Sequence, residues 1–563
     1  MTNITPRWLS AKKNLFFFPL VLVGLLAIGA SGSMPAYAAE LSLQDTVYLQ
    51  QGWDQKTRQA ISYTSFGSRI IPYDWFIALE QAGSAALFRD DAHLSALGFI
   101  VSPPAKFNPD GLPIGIVRDV DKKNGDYVGL TCAACHTGQV QIKDKRIRID
   151  GGQALIDYTG FEESLIAALK ATVKDSEKFA RFYARINTGI SQEKVLSTSP
   201  SSQSLQMLIQ KRLAELEKHC ATNTTEFPYG YGRLDAFGQI FNAIAVEALG
   251  IPENIHSPNA PTSYPVLWDA SHLNVVQWNA SAPNKEPGPL FQNAITALAV
   301  YGTVTLPKDK LTYESSIRIN NLGDIQRDFY QLSAPKWPVD IAGELDATKM
   351  VTGKALYNQY CLECHTLVDP TDKKRKLTAV LTNYKEVGTD PLAVENFINH
   401  KVKSGVLEGD KAMVLFGDKI PAETSPLDLV THAAAGALLN QPWQTIKAIF
   451  KEYRSNDAPP EQTIYNSYKA RPINGIWASA PYLHNGSVPT IYDLLLPAAQ
   501  RPASFYVGNI ELDLVKVGHI SIEAPNTSFF DTSLRGNSNV GHEYGTQLNE
   551  DERWALLEYV KSL

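Results

Sequence analysis

The feature that most constrains this chain is a doubled spacing, Cys132-Ala133-Ala134-Cys135-His136 and Cys361-Leu362-Glu363-Cys364-His365, which uses four of its five cysteines. Two cysteines three apart lie on neighbouring points of one helical turn, where both sulfurs reach the vinyl groups along one haem edge. The next residue then sits under the iron as proximal ligand. With 5 cysteines and 11 histidines in 563 residues, chance produces CxxCH in roughly one such chain in a thousand. The pair therefore predicts two covalent c-type haems, one on Cys132, Cys135 and His136, the other on Cys361, Cys364 and His365. A split zinc site, which could use Cys2His from either motif, and a pair of thioredoxin-like dithiols are the competing readings; two copies, each with a histidine directly after it, in an exported chain weigh against both.

Export is read from the N-terminus. Arg7, Lys12 and Lys13 precede an apolar run from Leu15 to Ala30, and Ala36-Tyr37-Ala38 stands ahead of Ala39. This is the layout of a secretory signal peptide over residues 1–38. The apolar run is shorter than the ~20 residues of a spanning helix, and an uncleaved anchor is the alternative. Removing the segment leaves 49 basic against 58 acidic residues, so the net charge moves from −6 to −9. With no basic block, a nucleic-acid partner is not expected. The mature chain is expected to be periplasmic or secreted and not membrane-spanning.

The two motifs lie 229 residues apart, far more than a small cytochrome needs. Turn-rich Asn108-Pro109-Asp110-Gly111-Leu112-Pro113 precedes the first, and Ala334-Pro335-Lys336-Trp337-Pro338 precedes the second. The expected architecture is mainly α with long irregular loops: a signal peptide 1–38, an enlarged N-terminal haem domain 39–338 and a C-terminal cytochrome c domain 339–563. Helices are expected at 161–185 and 202–219, and a short one from Gly353 through Tyr357 leads into Cys361. A last helix follows Asn549, with Glu552 three residues on and Leu556, Val560 and Leu563 on one face.

The sixth ligands decide function, because an iron with two strong protein ligands moves electrons whereas an open iron binds O2 or peroxide. After His136 the next histidine is His219, and only Met207 comes before it among methionines. The first haem is therefore the expected open site, with a distant ligand such as His219, His256 or His272 as the alternative. For the second haem the candidates are Met413, His432, His484, His519 and His542, of which His484 and His542 are the better placed.

Several further segments carry a family resemblance. They are Pro72-Tyr73-Asp74-Trp75-Phe76, the 108–113 turn, Gly129-Leu130-Thr131 running into the first haem motif and Thr137-Gly138 after it, and Gly232-Arg233-Leu234-Asp235-Ala236-Phe237-Gly238. To these add Lys336-Trp337-Pro338 and, most specific, the stretch from Asn474 through Ala480-Pro481-Tyr482-Leu483-His484-Asn485-Gly486-Ser487 to Asp493. Over nearly the whole mature chain the sequence resembles the di-haem c-type oxygenases, typified by bacterial rubber oxygenase and related fatty-acid dioxygenases. These are similar in turn to di-haem cytochrome c peroxidases and to the di-haem enzyme that matures methylamine dehydrogenase.

The resemblance implies a first haem that binds O2 on its open face in an apolar pocket, and a second haem with two histidine ligands, His365 and His542, with His484 as second choice and near the haem. The expected function is addition of O2 to a double bond of an unsaturated hydrophobic small molecule or polymer, a fatty acid or an isoprenoid. A di-haem peroxidase fed by a small electron-donor protein and a plain electron-transfer cytochrome are the alternatives; the lack of a histidine soon after the first CxxCH departs from the peroxidase pattern. Trp268 and Trp278 are candidate pocket residues, Arg233 and Arg471 candidate partners of haem propionates, and Cys220 a buried thiol.

Overall fold

The terminal helix Glu550–Lys561 begins where the sequence places it. The Asn549 side chain accepts from the Glu552 amide at 3.0 Å, and the Glu552 carboxylate accepts from the Asn549 amide at 2.9 Å, a reciprocal cap that satisfies two otherwise orphaned donors. This helix crosses Ala347–Tyr360 at Gly353, where a Cβ would lie 2.0 Å from the Ala555 carbonyl oxygen. Only a residue without a side chain permits that approach. One turn on, buried Tyr357 meets Tyr559 edge to face at 5.4 Å, a pairing worth about 1 kcal/mol beyond its buried area. The Tyr357 hydroxyl donates to the His365 carbonyl. The helix crossing thus fixes the ground on which the second CxxCH stands.

The computed structural model describes residues 46–188, 201–451 and 465–563; the signal-peptide reading for 1–38 lies outside them. The described residues belong to one compact unit. One core draws Trp53, Ile147 and Trp268 together with Trp477, Leu556 and Val560. A second gathers Phe76, Phe88, Phe161, Leu169 and Leu216, and a third Leu290, Leu322, Leu429 and Ala433. Among the described residues no helix is long and apolar enough to cross a membrane.

The mainly α expectation is not met. The described chain is about 40% helix and 15% strand, with several small sheets. Thr137–Ile142 and Lys145–Asp150 form a hairpin directly after the first haem motif, and Thr46–Tyr48 adds to it in parallel. Ile71–Pro72, Tyr127–Leu130 and Ile116–Asp119 form a second three-stranded sheet. Most other strands are two to four residues long and pair across large sequence gaps, as Val380–Asn383 does with Ser467–Ala470. Runs that short hold too few alternations to show a period of two. The helix expected over 161–185 is two helices, Tyr158–Lys174 and Ser176–Asn187. Asp175 ends the first and caps the second by accepting from the amides of Glu177 and Lys178. The helix expected over 202–219 spans Ser202–Thr222.

Candidate haem sites

The first CxxCH forms a single helical turn, Cys132–Cys135, capped by the Thr131 hydroxyl, which accepts from the Ala133 amide and donates to the Ser62 carbonyl at 3.0 Å. Gly115, at φ +88°, lies against its back; a Cβ there would come within 2.3 Å of the Ala134 backbone. His136 Nδ1 donates to the Pro265 carbonyl at 2.8 Å. That bond fixes the tautomer and leaves Nε2 bare. Burial pushes the His136 pKa down to about 4, which keeps the ring neutral.

His136 lines a cavity of about 300 Å³ whose walls include Phe66, Phe237, Ile240, Trp268 and Trp278. Both tryptophans singled out in the sequence therefore face it. Trp268 is buried with its indole donating to the Asn474 carbonyl at 2.9 Å. Gln326 also lines this cavity, 1% exposed, and both of its amide atoms lack a protein partner. A buried amide left unpaired costs about 1–3 kcal/mol, so its position calls for a polar occupant.

In the second site His365 Nδ1 donates to the Arg471 carbonyl at 2.7 Å, again leaving Nε2 bare. Across a cavity of about 240 Å³ stands His542, its ring centre 6.2 Å from that of His365. His542 has φ +50°, a left-handed conformation that costs a side-chain-bearing residue roughly 1–2 kcal/mol. The loop is held there by its surroundings: the His542 amide donates to the Val387 carbonyl at 2.9 Å, and the Arg501 guanidinium donates to the carbonyls of Asn539, Gly541 and His542. Burial, then the facing His365 and Arg501, push the His542 pKa down to about 3.

Most of the other candidate histidines are engaged by neighbouring side chains or carbonyls. His484 lines the second cavity, but its ring stacks on Tyr468 at 4.2 Å and its Nε2 lies 3.0 Å from the Tyr468 hydroxyl. That hydroxyl donates to the Asp390 carbonyl at 2.7 Å, so His484 Nε2 is the donor toward it. Both ring nitrogens of His272 engage carbonyls, of Arg375 and Tyr330. His256 stacks on His400 at 4.2 Å, and His432 bonds Tyr313 and the Lys411 carbonyl. Met413 sits on an exposed turn. His519 lines neither cavity. Arg233 is committed to the carbonyls of Tyr229 and Asn485 and to the Asn537 side chain.

Ser263, Tyr264, Pro265, Val266, Trp278, Lys469 and Arg471 line both cavities. This shared wall joins two segments some 200 residues apart. Burial lowers the pKa of Lys469 to about 7 and of Arg471 to about 10, and neither cation has an ion-pair partner among the described residues. Sequence reading found Arg471 but missed Lys469, Gln326 and Arg501. Lys469 lies in the strand Ser467–Ala470 and Arg471 directly after it, and that two-residue spacing was the available signal for both facing one side.

These residues fit haem. Two metal–nitrogen bonds of about 2 Å, with about 1 Å from each nitrogen to its ring centre, require roughly 6 Å between facing imidazoles, as His365 and His542 provide. Two unpartnered cations in the shared wall match the carboxylates a haem carries.

Residues 467–506, which include Lys469, Arg471 and His484, match the family model described as RoxA-like, cytochrome c-like. That places the segment in the cytochrome c-like class and implies a haem cofactor. Over 98% of its length the chain is 31% identical to the whole of the uncharacterized protein y4iJ of Sinorhizobium fredii (strain NBRC 101917 / NGR234), and it belongs to that protein's family. It is also 25% identical to the uncharacterized protein y4iM of the same strain, over 54% of this chain and 62% of that one.

Proposed function

We propose that this chain is an exported di-haem c-type oxygenase that adds O2 to a carbon–carbon double bond of an unsaturated hydrophobic substrate, a fatty acid or an isoprenoid. Cys132, Cys135 and His136 would hold the first haem; Cys361, Cys364, His365 and His542 would hold the second. The RoxA-like, cytochrome c-like match supports the class. The observation that carries the finer reading is the contrast across the two cavities: His542 faces His365 in one, while aromatic and aliphatic side chains accompany His136 in the other.

When bound, the first haem supplies the O2 chemistry. The protein's part is to exclude water and to hold the reacting double bond. Phe66, Phe237, Ile240 and Trp268 offer apolar contact to an alkene chain, and Gln326 supplies the polar contact that fixes orientation. His136 and His365 are each held in one tautomer by a carbonyl acceptor. Lys469 and Arg471 would pair with haem carboxylates. The reaction balances without an external electron: cleavage turns one double bond and one O2 into two carbonyls, and addition moves the allylic hydrogen onto a hydroperoxide.

The test is aerobic incubation of the holoprotein with oleate or polyisoprene under ¹⁸O2, with no peroxide added. Hydroperoxides or carbonyls carrying the label are expected. Turnover only with peroxide and a reduced cytochrome would overturn the reading in favour of a peroxidase.

A further inference from the structure

A buried chain of titratable side chains leads from the first cavity toward solvent. Tyr158 lines the cavity, and Glu162 stands one turn along the same helix. Glu162 is 6% exposed and accepts from the Tyr301 hydroxyl. On the facing helix Ser202–Thr222, His219 places Nε2 3.6 Å from Glu162 Oε1 and has no other partner for that nitrogen. The other ring nitrogen, Nδ1, lies 2.8 Å from Glu247, whose side chain is 28% exposed. Glu247 sits in a π-helical turn, Ala243–Ala248, a rare conformation concentrated at functional positions.

We propose that Tyr158, Glu162, His219 and Glu247 form a proton-exchange path between solvent and the first haem cavity. It rests on the reading that His136 holds a haem there. An imidazole takes a proton at one nitrogen and releases one from the other, and His219 has a carboxylate at each. An electron delivered into a buried site raises the proton affinity of nearby groups. For each electron taken from a one-electron reductant, one proton enters at Glu247, crosses His219 and ends on the Glu162 carboxylate, beside Tyr158.

The electrostatics agree with this role. Burial raises the Glu162 pKa, opposed by His219, Tyr301 and Tyr158, while Glu247 adds to the rise. Burial disfavours charge on His219, yet the bond to Glu247 and the charge of Glu162 outweigh it and raise its pKa, with Arg212 opposing. Both shifts are upward, so Glu162 and His219 each hold a proton more readily than the free groups do. Cys220, beside them, has its thiol pushed up to about 12 by burial and then by Glu162, Glu163, Glu247 and Glu217, so it stays protonated.

The experiment is a redox titration of the holoprotein over a pH series, each haem followed by its own absorbance and the second haem serving as internal control. In the parent the first haem's midpoint potential is expected to fall as pH rises. In Glu162→Gln that slope flattens, with the second haem's potential unchanged, and Glu162→Asp restores it in part. After rapid reduction with dithionite, proton uptake read by an indicator dye is expected to slow at least tenfold in His219→Gln and severalfold in Glu247→Gln, a near-surface change that spares the core. Unchanged slope and uptake rate in Glu162→Gln and Glu247→Gln would overturn the path. A first haem found with two protein ligands but a Glu162-dependent slope would sink the oxygenase reading and leave the path standing.

Discussion

The two cavities are built alike on one side and differently on the other. Each places a histidine directly after a cysteine pair, with Nδ1 bound to a carbonyl and Nε2 bare. Opposite, the second cavity presents His542 on a strained, clamped loop, whereas the first presents aromatic rings and an unpaired amide. Aiming a second imidazole needs dedicated structure, here Arg501 and the Gly388–Gly541 contact. A face that is to stay open, as proposed for the first, needs only shape and a few placed polar atoms. The difference teaches that one repeated motif can be given two surroundings by what the rest of the chain brings to its far side, and on the proposed reading those surroundings serve two chemistries.

The comparison breaks most simply at attachment. Cys132→Ala with Cys135→Ala, and separately Cys361→Ala with Cys364→Ala, should each remove one of two covalent haems by intact mass; loss of none in either pair would refute the double assignment. Next, His542→Ala should convert the low-spin signal of the second haem to high-spin and leave the first unchanged, while His484→Ala should not. A conversion by His484→Ala alone would reverse the ligand order.

Stability separates the sites further. Gly353→Ala should cost about 1–3 kcal/mol, the usual penalty of overpacking, because its Cβ meets the Ala555 carbonyl. Gly115→Ala should cost roughly 1–2 kcal/mol more, since its φ of +88° adds backbone strain. Denaturant melts of holoprotein give both values, and the reverse order would count against the account of the first motif's support. Smallest is Asn549→Ala, expected to lose about 1 kcal/mol through the cap, read in the same melts.

Legibility in the sequence followed range. The CxxCH turns, the terminal helix with its capping box and the helix leading into Cys361 are local, and residue order alone announced them. His542 was one of two well-placed histidines, and only the family resemblance chose between it and His484; the structure adds that His484 is turned to Tyr468. The short strands escaped because pairing, not periodicity, makes them. The shared wall escaped for a stronger reason: nothing near Pro265 says that Lys469 will stand beside it. Arg233 shows the converse, a buried arginine in a resemblance-bearing segment whose donors are spent on backbone carbonyls.

That wall has a consequence for how the protein can vary. Ser263 to Val266, Trp278, Lys469 and Arg471 belong to both cavities at once, so a substitution among them is felt twice. The walls away from it, such as Phe237 and Ile240 on one side and Leu494 and Tyr544 on the other, can drift independently. A lineage in which this protein diverges is therefore free to remodel the outer rims, while the partition between the two chambers changes only when both tolerate it.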